Sequence, residues 1–315
     1  MKLTCVQLFR FLSHINFNYS KVSLNFIRLL VIISGLLYLP QAVAEPLSFT
    51  ITGSVFEYTV QPGDYLTKIG ARFGVTAKVL SRENDLIYDA ILMPEQTLII
   101  DNRHIVPVTQ DGDLLINLPQ GMLYYYKERE LIAAYPVGLG KPSWQTPLGN
   151  FSVTNKIANK TWLVPKSIQE EMRREGKAVE TKVPPGPNNP LGKYWLGLSL
   201  SGIGIHGTIA PASVYQFQSH GCIRLHPDDI ESLFTRIEHG ATGHIIYAPI
   251  LIAEFEGEIF LEVHQDIYNK GGVSMYALEQ LVSEAKLGDR IDWSLAVAAL
   301  EQHDGVARDV TLSPI

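Results

Sequence analysis

Three histidines and a cysteine, His206, His220, Cys222 and His226, fall within one short span, and His239 and His244 follow it. A cysteine attacks as the thiolate, so it needs a base or a cation beside it. An acyl transfer also needs N–H groups aimed at the oxygen that becomes negative. The stretch SHGCIRL (219–225) offers both, because Gly221 permits a tight backbone and the amides around Cys222 can converge on one point. An adjacent imidazolium would lower the thiol pKa from about 8.5 to below about 7.5. His220 points the same way as Cys222 in an extended segment but is awkwardly placed to accept its proton. His206 ends an expected strand, IGIHG, whose following loop returns to the cysteine, so it can act from a neighbouring strand. A backbone carbonyl such as that of Gly207 can hold its tautomer. Two other readings use the same side chains. His206, His220, Cys222 and His226 could ligate zinc, although no C-x2-C or H-x3-H pattern accompanies them. Alternatively, Cys222 is a small buried side chain among satisfied histidines.

The elements that must hold these residues sit in a chain of 315 residues, 46% hydrophobic and 18% charged. That is an ordinary globular composition with room for about two domains. A formal charge of −6 argues against a nucleic-acid partner, which would call for a basic face. Residues 1–44 carry Lys2, Arg10, Lys21 and Arg28 and no acidic residue, then the apolar run LLVIISGLLYL (29–39) and Ala42-Val43-Ala44. This pattern predicts an export signal cleaved after Ala44. Cleavage would also remove Cys5. Cys222 would then be alone in an oxidising compartment, the periplasm, with no internal disulfide partner.

Residues 56–101 read as strand, helix, helix, strand. Asp64 is placed to cap a helix with Leu66, Ile69 and Phe73 inward, and Thr76 starts a second helix with Val79 and Leu80 inward. Residues 102–111 read as a linker. The segment 112–248 is rich in expected strands, with helices near 167–176 and from Pro227 to about His239, which predicts a mostly β, sandwich- or barrel-like domain. Residues 249–315 add a strand and two helices as a C-terminal appendage.

The opening YTVQPGD, Ile69, Phe73, Asn84 and the closing PEQTLII resemble a LysM module, a small βααβ fold, with Tyr65 departing from the small hydroxyl residue frequent there. That resemblance implies binding of N-acetylglucosamine-containing glycan strands near Gly63, Asp64, Leu66 and Ile91. IHGT (205–208), a spacer and SHGCIRL resemble the signature of the L,D-transpeptidases with a YkuD-type catalytic domain. TPLGNFSV (146–153) and PPGPNNPLGKYWLGLS (184–199) resemble its flanks. This second resemblance implies Cys222 as nucleophile and His206 as proton carrier oriented by Gly207. It implies the amides of His220, Gly221 and Cys222 as the oxyanion site, and Arg224 and Ser219 near the substrate. It further implies peptidoglycan stem peptides as donors, with no metal or organic cofactor. The acceptor would be a second stem, a wall-anchored lipoprotein or a free D-amino acid. A hydrolase using water, or an inert wall-binding protein, remains compatible with the same residues.

Overall fold

The computed structural model describes residues 47–109 and 111–313, so the expected export signal lies outside the described residues. The first module is a strand pair, β1 (Val55–Thr59) and β2 (Thr97–Asp101), antiparallel with Val55 opposite Asp101. Helices α1 (Leu66–Phe73) and α2 (Ala77–Glu83) lie between them in sequence. Thr76 caps α2 by accepting from Val79 N. Asn84 ends it and bonds Ile99 through both its amide groups, at 2.9 and 2.7 Å, which ties the helix end to β2. Asp64 does not cap α1. The capping position belongs to Tyr65, whose side chain makes no cap bond. Asp64 instead accepts from Tyr58 Oη at 2.6 Å and Gln61 N at 2.9 Å and pairs with Lys68, bracing the turn from inside.

Catalytic-segment strands form one eight-stranded mixed sheet. They are β3 (Leu114–Asn117), β4 (Met122–Lys127), β5 (Glu130–Pro136), β6 (Gly149–Ala158), β7 (Tyr194–Leu198), β8 (Gly204–His206), β9 (Ile223–Arg224) and β10 (Thr242–Ile246). Their order is β9-β8-β7-β6-β10-β3-β4-β5, in keeping with the mostly β expectation. Between β6 and β7 an excursion carries α3 (Lys166–Arg174). Helix α4 (Pro227–Arg236) follows β9 with Pro227 at its first turn and Asp228 and Asp229 beside its positive end. It stops three residues short of the expected His239, where Ile237 turns into the main core.

The C-terminal segment forms a second sheet around the hairpin β11 (Ile250–Phe255) and β12 (Glu258–Val263), covered by α5 (Met275–Glu284) and α6 (Trp293–Gln302). It is more than an appendage to the catalytic sheet. Val306 completes the LysM-like core, Arg82 meets Asp304 at 2.6 Å and Arg308 meets Glu83 at 2.8 Å. The linker expectation for 102–111 also fails in part. His104, Ile105 and Val106 are buried, because their apolar side chains join the cores on either side and the His104 ring enters a hydrogen-bonded cluster described below.

Candidate active site

Strand pairing sets the segments that carry the two key side chains next to each other. β8 runs parallel to β9 with His206 opposite Arg224, and antiparallel to β7 with Trp195 opposite His206. Partners across a ladder share a face, as do residues two apart along an extended chain. Cys222, two before Arg224, therefore lies diagonally from His206 on that same face. The Gly204 amide is directed at the sulfur, which places the thiol against β8. Cys222 Sγ also lies 3.7 Å from Gly202 O. Gly204 has a steric reason to be glycine: a Cβ there would fall 2.3 Å from the Trp195 ring. The Trp195 ring instead lies near-parallel to His206, centroids 5.8 Å apart.

His206 is buried, and its Nδ1 donates to Gly207 O at 2.6 Å. That bond leaves Nε2 without a hydrogen, hence as an acceptor. Burial, reinforced by the Arg224 guanidinium, draws the imidazole down to about 4. Burial pushes the Cys222 thiol above its ordinary value, while the Gly204 amide and Arg224 pull it back. The resting pair is thus neutral thiol and neutral imidazole. The expected imidazolium beside the cysteine is not the resting state, because a buried ring next to a guanidinium sheds its proton. Arg224 itself makes no side-chain hydrogen bond or ion pair among the described residues, and it is half-buried beside both groups.

The amides around the thiol divide unequally. Gly221, at φ +101°, gives its N–H to Ser219 Oγ at 3.2 Å, and Ser219 Oγ donates to Cys222 O at 2.5 Å. This corrects the expectation for Gly221, whose N–H is occupied in the turn rather than open to an oxyanion. Ser219 is buried and likewise serves the turn, not a ligand. The backbone N–H groups of His220 and Cys222 have no partner among the described residues. His220 does not face the thiol as a base, since its Nε2 is held by Glu171. His226 accepts from Asp228 N at the start of α4; His239 and His244 bond Thr154 O and Asn150. The zinc set expected as a rival is thereby scattered. Around the site, Trp144 lies against His220, Trp195 against His206, and Tyr194 packs on Phe234 of α4.

On the LysM-like module, Leu66 is 3% exposed and belongs to its core, and the Asp64 side chain is 5% exposed. Neither offers a free side chain at the surface, contrary to expectation, because Leu66 packs into the core and Asp64 is held by Tyr58, Gln61 and Lys68. Gly63 and Ile91, the latter 90% exposed, lie on the surface. Sequence reasoning missed Lys141 and Glu171 beside the thiol turn. It also missed a buried trio of His104, Glu262 and His264, whose ligand atoms lie within 4.8 Å of one another. In that trio His104 faces Glu262 Oε1 at 2.8 Å and Gly74 O at 2.9 Å with its two ring nitrogens. Both partners only accept, so both nitrogens carry hydrogen and the trio is an ion-paired cluster.

The model of the L,D-transpeptidase catalytic domain, YkuD, matches residues 111–252, and that of the LysM domain matches 58–101. The probable L,D-transpeptidase YcfS of Escherichia coli (strain K12) is 30% identical over 221 residues, 68% of this chain and 69% of the relative. The probable L,D-transpeptidase ErfK/SrfK of Salmonella typhimurium is 30% identical over 220 residues, covering 69% and 70%. The catalytic domain of the Enterococcus faecium L,D-transpeptidase acylated by ertapenem aligns at a TM-score of 0.34 and 24% identity, over 44% of this chain and 98% of that one. With the family model over its sheet, and relatives sharing that much sequence over more than two thirds of their length, the chain belongs to the L,D-transpeptidase family and carries a LysM domain.

Proposed function

We propose that the protein is an exported, periplasmic enzyme that transfers peptidoglycan stem peptides through a thioester on Cys222. Attack begins with His206 Nε2 taking the thiol proton as sulfur bonds to the carbonyl carbon of the diamino acid at position three of a tetrapeptide stem. The oxyanion is met by the His220 and Cys222 amides. His206 returns the proton to the leaving nitrogen, the C–N bond breaks, and D-Ala departs. An acceptor amine then attacks the thioester, His206 removes its proton, and the thiol is restored. A second stem as acceptor gives a 3–3 cross-link; a wall-anchored lipoprotein gives attachment; water gives hydrolysis. Arg224, with a free guanidinium at the site, is placed to receive a stem carboxylate. Gly63 and Ile91, both exposed on the LysM domain, would contact the glycan.

The observation that carries this reading is a cysteine one strand away from a buried, neutral imidazole whose Nδ1 is pinned by Gly207 O. Incubation with tetrapeptide muropeptides, read by mass, tests it. D-Ala release with a new cross-linked dimer is expected, and Cys222→Ala should abolish both. Release of D-Ala by the Cys222→Ala protein would refute the assignment.

A further inference from the structure

The excursion between β6 and β7 carries an exposed helix. Helix α3 has no buried residue, and the short strands Trp162–Leu163 and Lys182–Val183 pair with each other. One of its side chains nevertheless reaches the thiol turn. Glu171 Oε1 accepts from Lys141 Nζ at 2.6 Å, and Oε2 is bonded to His220 Nε2. Lys141 in turn donates its backbone N–H to Ser219 O at 2.9 Å. The four residues close a ring: Ser219 to Lys141, Lys141 to Glu171, Glu171 to His220, and His220 back to Ser219 along the chain. The Trp144 ring flanks it, 5.4 Å from that of His220. Lys141 first, then His220, hold the Glu171 carboxyl down to about 2, so it is an anion at any physiological pH. Glu170, its neighbour in sequence, is exposed.

The ring encloses the turn that carries the His220 and Cys222 amides, which have no partner among the described residues. We propose that Glu171 is a positioning residue: by gripping His220 and Lys141 together, it fixes the Ser219–Cys222 turn so that the His220 and Cys222 amides stay aimed at the substrate carbonyl. Such support of a reacting group by its neighbours is what keeps a donor within the narrow geometry a transition state needs. The inference rests on the Cys222 chemistry proposed above.

Two reagents for the same sulfur separate aim from reactivity. A carbapenem acylates the thiol through a tetrahedral oxyanion, whereas iodoacetamide alkylates it without one. Intact mass of the whole protein reads both adducts over time. Glu171→Gln should slow acylation about tenfold, leave alkylation within about twofold, and Lys141→Met should give the same split while Glu170→Gln changes neither rate. Equal acylation in wild type and Glu171→Gln overturns the positioning role alone. A parallel fall in both rates also overturns it, since that reports a change in the thiol or the fold. Absence of any adduct on the wild type removes the proposed thiol chemistry and this inference with it.

Discussion

Replacing Glu262 by glutamine takes one charge out of the middle of the molecule and leaves its volume unchanged. The carboxylate is fully buried and collects four donors: His104 Nδ1 at 2.8 Å, His264 Nε2 at 2.7 Å, Gln120 Nε2 at 3.0 Å and Ile105 N at 2.6 Å. An amide offers one oxygen where the carboxylate offers two, so its nitrogen must confront at least one donor. The His104 cation also loses its counter-charge. Removing one partner of a buried pair costs about 3–5 kcal/mol, equivalent to a fall of roughly 6–20 °C in Tm for a chain of this size. The sign of the pH dependence follows from the two partners. Burial alone would lower the His104 pKa, but Glu262 outweighs it and the folded value is raised. Its contribution is therefore complete below the unfolded value near 6.5 and lost as pH rises through the folded one. Glu262 is held at about 2 by His104 and His264 against burial. Its contribution is complete above the unfolded value near 4.3 and lost as pH falls toward the folded one. Urea unfolding of both proteins should show the widest gap at a pH between about 4.5 and 6.5, narrowing in alkali. A gap below about 1 kcal/mol in that window, or one that widens with rising pH, would falsify the ion-pair reasoning.

Three further outcomes follow from the site. The rate of Cys222 acylation should fall with acid only as His206 gains its proton, with an apparent value near about 4; a limb at the ordinary histidine value near 6.5 would mean the ring is solvated. Arg224→Gln should weaken stem-peptide turnover by roughly tenfold to a hundredfold, mainly through KM, as expected for loss of a charged hydrogen bond; an unchanged KM would place the carboxylate elsewhere. Ile91→Asp on the exposed rim of the LysM domain should reduce pelleting with purified sacculi while leaving carbapenem acylation as it was, and undiminished pelleting would move the glycan off that rim.

The order of elements and the family signature were legible because they are written locally. Turn residues and alternation announce β3 to β5, Thr76 and Asn84 mark the ends of α2, and SHGCIRL packs glycine, thiol and amides into consecutive positions. What was not legible depends on partners far away in sequence. Nothing separates Glu171 from Glu170 in the run QEEMRR, yet one meets Lys141 and the other meets solvent. Asp64 reads as a helix cap until Tyr58 and Lys68 turn out to face it. The Gly221 amide reads as open because the Ser219 hydroxyl that occupies it could as well have pointed outward.

The segment 102–111 shows the consequence most clearly. A polar, proline-containing stretch between two domains reads as a flexible tether, and a tether raises local concentration without fixing direction. Here His104 bonds Gly74 O on the LysM side and Glu262 on the other, while Arg72 of α1 holds Asp229 of α4 at 2.9 and 3.0 Å. The C-terminal segment adds Arg82–Asp304 and Arg308–Glu83. The His104–Glu262 pair is shielded from water, where charge pairs are least screened by salt. A glycan bound by such a module cannot sample orientations as it would on a loose chain. The second sheet and its helices thus fix the direction of the module, where a tether would raise local concentration alone.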